Sequence, residues 1–337
     1  MVRPKDAVQW ALYYPPLFDY RTTRLTGPDS PTLTRVIQRY EQGYVFEALT
    51  ELDTVSTDRR DVPYFTLRAG MLLSIGRVDY AQADISDALN VNPDNGVDLD
   101  LLSVIALVNN DNQEALQPVH RAVERAPDSA IPGIALSYAQ QGAFQIVQAS
   151  GSAQDAAQLA VERNDKLSCP HTILGFVRLT ALEFKKAATA FQQAIALDQA
   201  DPLPRLGLGL AKIRQNDLEA GRRKIEIATS LDLNNSIMRS YLGKSYFEEK
   251  RRGLDETQYE MPKELDPHDP TPWFYDAIRE QFVNKPIEAL HDYQESIRLN
   301  DDRAVYRGRL LLHEDVATRG ATVGRNNNLG FDQRGKG

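Results

Sequence analysis

The sequence is poor in residues that staple a fold or bind metals. A single cysteine, Cys169, stands among 337 residues, which excludes an internal disulfide framework and any multi-cysteine zinc site. Its five histidines, at 120, 171, 268, 291 and 313, are isolated, with no H-E-x-x-H and no partner at helical spacing. Long apolar runs are missing too. "LLSVIALV" (101–108) falls far short of the ~18 residues a membrane-spanning helix requires. The opening "MVRPKDAVQW" lacks the apolar stretch of a secretory signal, so an exported parent would carry one elsewhere. Basic charge is scarce in the body of the chain. The formal net charge is -8; residues 1–27 carry four basic and two acidic groups, residues 303–337 seven and three, leaving 28–302 at -14. Such a body disfavours nucleic acid, because neutralising phosphates needs a basic face.

Motifs for nucleotide and metal chemistry are fragmentary. "YLGKSYFEEK" (241–250) holds the Gly243, Lys244 and Ser245 that would close a phosphate loop, but Met238 stands where its first glycine belongs. "LGLGLAK" (206–212) lacks the third glycine and the preceding strand of a dinucleotide loop. "DNGVDLD" (94–100) has the acidic density of a calcium loop without the EF-hand order. Cys169 has no local catalytic signature. The expectation is a protein without catalytic residues, cofactor or metal.

What is present is periodicity. "LDQADP" (197–202), "LDLNNS" (231–236) and "LDPHDP" (265–270) recur at 34-residue intervals, the period of the tetratricopeptide helical hairpin. With position 1 at Ser168, Pro202, Ser236, Pro270 and Ala304, Gly175, Gly209 and Gly243 fall at position 8, Ala187 and Ala289 at position 20, Trp273 at position 4, Tyr246 at position 11, and Phe191 and Tyr259 at position 24. Small residues let the two helices of a hairpin approach, and large ones fill the space between hairpins. The register returns from Val62 and Gly96. Two less regular units cover roughly 29–61 and 130–167, the latter about four residues longer and carrying the loop-like "ASGSAQD" (149–155). The reading is an all-α, right-handed solenoid of about eight to nine hairpins over residues 29–316, with an aromatic connector at 1–28 and a loose tail at 317–337. Pro262 occupies position 27, a small-residue position, and predicts that the second helix there kinks or begins late.

Several stretches resemble one bacterial group of tetratricopeptide proteins that follow a FecR-type domain and often precede an outer-membrane β-barrel. They are "DAVQWALYYPP" (6–16), "LDQADPLPRLGLGLAKIR" (197–214), "YFEEK" (246–250), "ELDPHDPTPWFYDAI" (264–278) and "NDDRAVYRGRLLLHED" (300–315). Residues 143–170 look shortened relative to the group, by about one repeat. The resemblance implies a periplasmic or outer-membrane-associated parent, of which this chain would be a piece. A cytoplasmic adaptor or regulatory protein is the alternative. It also implies that partners are gripped by the first helix of each hairpin, at positions 2, 5, 9 and 12. Those positions include Phe176, Leu179, Leu206, Leu210, Ile213, Lys244, Phe247, Phe274 and Ile278, an apolar groove with Lys244 as its main charge. An extended hydrophobic segment or an amphipathic helix of a partner protein suits such a surface, as does a neighbouring segment such as "WALYYPPLFDY" (10–20).

Overall fold

The computed structural model describes residues 30–299, apart from 42, 43, 76, 110, 112, 144, 164–166 and 268. The expected connector, tail and unit from Ala304 lie outside the described residues. Sixteen α-helices and one short 3-10 helix (Thr57–Arg59) make up the described chain, with no strand among them. They pair into eight hairpins, and the chain divides after Arg163 into two compact units.

The first unit contains α1 (Ser30–Glu41) with α2 (Val45–Leu52), α3 (Val62–Ser74) with α4 (Val78–Val91), α5 (Gly96–Val108) with α6 (Leu116–Arg125), and α7 (Ala130–Gly142) with α8 (Ile146–Glu162). The second contains α9 (Cys169–Thr180) with α10 (Phe184–Leu197), α11 (Leu203–Arg214) with α12 (Leu218–Leu231), α13 (Ser236–Glu248) with α14 (Leu254–Leu265), and α15 (Pro270–Phe282) with α16 (Pro286–Arg298).

The 34-residue register explains each joint. At six of the joints between hairpins, the residue at position 34 of the repeat caps the first helix that follows. Asp61, Asn95, Ser129, Asp201, Asn235 and Asp269 accept from the backbone N–H groups of Tyr64, Val97, Ile131, Leu203, Met238 and Thr271, satisfying donors that a helix start leaves open. Within hairpins, the first helix ends in a Schellman turn. The N–H of position 16 donates to the carbonyl of position 11 in Arg77→Leu72, Asp111→Ala106, Gln145→Gln140, Glu183→Arg178, Asp217→Lys212, Arg251→Tyr246 and Lys285→Glu280. The residue before each donor takes positive φ at Leu182 (64°), Asn216 (67°), Lys250 (58°) and Asn284 (63°). Asparagine suits that conformation; leucine is strained in it.

Positions 8 and 20 meet as the spacing predicts. A Cβ on Gly209 would stand 2.8 Å from the Gly221 carbonyl oxygen, and one on Gly221 2.7 Å from that of Gly209. Ser103 and Ser137, also at position 8, donate to the position-20 carbonyls of Ala115 and Ala149 at 2.8 and 2.9 Å. Gly243 belongs to this set: a Cβ there would lie 2.8 Å from the Tyr259 ring, so that glycine is a packing residue and no part of a phosphate loop. Position 24 supplies the buried plug of each hairpin, as with Ile85, Val119, Phe191, Ile225, Tyr259 and Tyr293.

Two local expectations change. "ASGSAQD" is not a loop but the middle of α8, where Ala149, Ala153, Ala156, Ala157 and Ala160 bury one helical stripe and Ser152 donates to Gln140 at 2.8 Å. Pro262 does not interrupt α14, which continues through it to Leu265. The helix does begin late, at position 19 instead of the position 17 used by α10, α12 and α16, after Gly253 at φ 88°. The missing N–H of Pro262 leaves the Gln258 carbonyl without its helical donor.

Pro262→Ala is expected to restore that bond and raise stability by about 1–3 kcal/mol. Position 27 is otherwise held by buried Ala88, Ala122, Ala194, Ala228 and Ser296, so alanine fits the site. Leu182→Asn should add about 0.5–1 kcal/mol by relieving the left-handed backbone. Chemical denaturation of both variants, read by circular dichroism at 222 nm, checks the pair; a loss of stability in either refutes its account.

Candidate functional site

The nine residues assigned to a groove do not form one surface. Phe176, Leu179, Leu206, Leu210 and Phe274 are buried in the second unit. Phe176 packs edge-on against Phe191 of α10 at 4.9 Å, and Phe274 against Tyr293 of α16 at 6.1 Å. These five are core: they are buried against neighbouring helices of the same unit. Ile213, Lys244, Phe247 and Ile278 remain partly exposed. Lys244 is not an unpaired charge: its Nζ lies 2.8 Å from Glu248 Oε1 and 5.5 Å over the Tyr275 ring. Phe282, at position 13 and outside the groove positions, is 75% exposed and packs edge-on against Phe247 at 5.4 Å. The surviving surface therefore lies at the ends of α13 and α15, around two aromatic rings.

A second feature lies between α14, α15 and α16, where a cavity of about 390 Å³ is bordered by polar side chains. Lys263 Nζ contacts Asp276 Oδ2 at 2.7 Å, Asp292 Oδ2 at 2.8 Å and Glu260 Oε1 at 3.1 Å, and stands 4.6 Å over the Trp273 ring. Arg279 Nε donates to Asp276 Oδ1 at 2.6 Å. Burial works against the Lys263 ammonium, but Asp276 and Asp292 outweigh it and raise its pKa. Glu280 is 8% exposed, and its Oε2 makes no hydrogen bond. Burial, reinforced by Asp276 and Asp292, pushes the Glu280 carboxyl up to about 7. Carboxylate oxygens of Asp276, Glu280 and Asp292 lie within 4.8 Å of one another, but the Lys263 ammonium stands between two of them. Periodicity could not reveal this group: its members occupy positions 4, 7, 10, 11, 23 and 28, read from sequence as packing positions or not at all.

Buried carboxylates also mark the first unit. Asp98 accepts from Thr66 Oγ1 at 2.7 Å, and Asp84 from Arg68 at 2.9 Å. Asp100 Oδ1 has no partner, and burial pushes its carboxyl well above the usual range. Burial likewise pushes Asp98 up to about 6. The acidic run 94–100 is thus consumed by structure: Asp94 pairs with Arg121 and Arg125 at 2.9 and 2.8 Å, Asn95 caps α5, and Asp98 and Asp100 face inward.

Among known structures, the fold is that of helical-repeat proteins. A chain of the APC/C hetero-tetramer Cut9–Hcn1 superposes with TM-score 0.67 at 16% identity, over 88% of this chain and 55% of that one. This chain thus spans little more than half of that relative. The human IFIT1 dimer with PPP-AAAA matches with TM-score 0.69 at 15% identity, covering 90% and 74%. A tetratricopeptide repeat protein from Parabacteroides merdae matches with TM-score 0.57 at 12% identity, covering 79% and 98%. No protein-family model and no curated protein matches the chain.

The raised carboxyl of Asp98 makes stability depend on pH. Folded Asp98 holds its proton up to about pH 6, whereas the unfolded chain releases it near 3.8. Its contribution is therefore most favourable below the unfolded value and declines as pH rises toward 6. Asp98→Asn, which can still accept from Thr66, should raise stability at pH 7.5 by about 1–2 kcal/mol, the worth of roughly one to one and a half pKa units. The gain should vanish near pH 4. Thermal melts at the two pH values test this, and an equal effect at both contradicts it.

Proposed function

We propose that the chain is a non-enzymatic scaffold that holds a partner protein through an apolar segment. The observation that carries this reading is the Phe247–Phe282 pair at the ends of neighbouring first helices, one ring mostly in water. Ile213, at the same repeat position as Phe247, and Ile278 add partly exposed apolar area. Aromatic rings presented in this way suit the anchor residues of an amphipathic helix or extended strand. The fold supports the reading, because a stack of hairpins offers long helix faces and little enclosed space for chemistry. The charge of -14 over residues 28–302 favours a polypeptide over a nucleic acid. The resemblance of "DAVQWALYYPP" and "ELDPHDPTPWFYDAI" to the FecR-associated group supports a parent at the bacterial cell envelope, where the array assembles or guides material delivered to an outer-membrane barrel.

Selection of a random peptide-display library on the full chain supplies a defined probe. Recovered peptides are expected to carry spaced apolar anchors. The double substitution Phe247→Ser, Phe282→Ser should weaken their binding at least tenfold, roughly the loss of one anchor or more. Far-UV circular dichroism should be unchanged, since these rings lie outside the core. Peptides that bind the double variant as tightly as the parent chain refute the proposed surface.

A further inference from the structure

The positions around the cavity between α14 and the α15–α16 hairpin are bridged by hydrogen bonds one repeat earlier. There, Tyr246 donates to Glu226 at 2.9 Å and Arg239 to Gln258 at 3.1 Å, tying successive helices together. Thirty-four residues on, the same four positions hold Glu280, Glu260, Trp273 and Asp292. Tyrosine has become a shorter acid facing another acid, and arginine has become tryptophan. Neither bridge forms, and the space is open. Glu280 borders it with Oε2 unpartnered, and Trp273, whose Nε1 also lacks a partner, borders it too.

The charge balance sets what this space can accept. Lys263 and Arg279 match the carboxylates of Asp276 and Asp292. Glu280 has only the longer 3.9 Å contact to Arg279, which Asp276 already holds, so the group carries one negative charge in excess, and Glu260 and Glu288 of the lining add more. A divalent ion would have to displace Lys263 from contacts of 2.7 and 2.8 Å. A single cationic group needs no such displacement: it neutralises Glu280 and finds carboxylate acceptors around it.

We infer that this cavity receives one basic side chain, an arginine or lysine, presented by the partner polypeptide. The inference rests on the scaffold reading and adds a second, charged anchor point, on the face formed by second helices. Exposed Ile287 at the cavity edge offers apolar contact for the stem of such a side chain. Occupancy depends on the ionisation of Glu280. The groups around it are Glu260 and Lys263 of α14, Asp276 and Arg279 of its own helix, and Glu288, His291 and Asp292 of α16. Lowering the pH protonates Glu280, and that change opposes a cation.

Titration of the ¹⁵N-labelled full chain with N-acetyl-arginine methylamide tests the inference through the indole N–H of Trp273. The chain has two tryptophans, Trp10 and Trp273, so Trp273→Phe assigns the signal. A saturable shift is expected at pH 8, at least fivefold weaker binding at pH 6, and no response to the neutral N-acetyl-citrulline methylamide. Glu280→Gln should abolish the shift without lowering the melting temperature, and Glu280→Asp should retain part of it. Phe247→Ser should leave it intact. An equal response to citrulline, indifference to Glu280→Gln, or displacement of the probe by millimolar magnesium would overturn the inference. The probe requires no partner protein, so its failure leaves the scaffold reading standing, and failure of the peptide selection leaves this result standing.

Discussion

The close approach of two helix backbones at positions 8 and 20 is the constraint on which this protein rests. At Gly209 and Gly221 each backbone takes the place where the other would carry a side chain. At Ser103 and Ser137 the same proximity is used for a hydrogen bond across the hairpin. Once the helices are this near, a single large residue at position 24 closes the space between them, and the outer faces are left for the next hairpin. No hairpin covers both of its apolar faces alone, so stacking follows from the geometry of the pair.

The last described hairpin departs from that economy. Its interior carries Arg279, Asp276, Asp292 and Glu280, joined by Lys263 of the preceding α14, where earlier repeats place mostly apolar or hydroxyl side chains. Buried ion groups seldom stabilise more than apolar residues of similar volume, because desolvation offsets most of the attraction. Retaining four closely paired groups and a fifth, Glu280, held only by a 3.9 Å contact to Arg279, is therefore better explained by recognition than by stability. The aromatic pair at the first-helix ends and the charged cavity at the second helices then serve as different kinds of anchor, one insensitive to salt and pH and the other sensitive to both.

The fold was legible because the repeat constrains backbone packing at few positions, and those positions recur. Gly243 and Ala187 declare themselves by size alone. Pro262 was legible as an anomaly, although the helix tolerates it and the late start follows Gly253. "ASGSAQD" misled because glycine and serine suggest a loop, whereas its alanines are spaced for a buried stripe. The surface was less legible. Positions 5 and 9 face outward only if neighbouring helices leave them uncovered, and in this chain Phe176, Leu206 and Leu210 are buried. Phe282 lies one position past the recognised pattern, and the charged cluster joins residues from three helices whose pairing no single repeat displays.

The Schellman turn that ends each first helix also bears on how the chain reaches this structure. Its defining bond spans five residues, from position 11 to position 16, and the capping bonds between hairpins span two or three. Every change of direction is therefore specified by neighbours in sequence, before any distant contact exists. Chains organised in this way have low contact order and can begin folding at more than one hairpin. During synthesis, each pair of helices can close as it emerges and present its uncovered face as the template for the next, so assembly follows the order of translation.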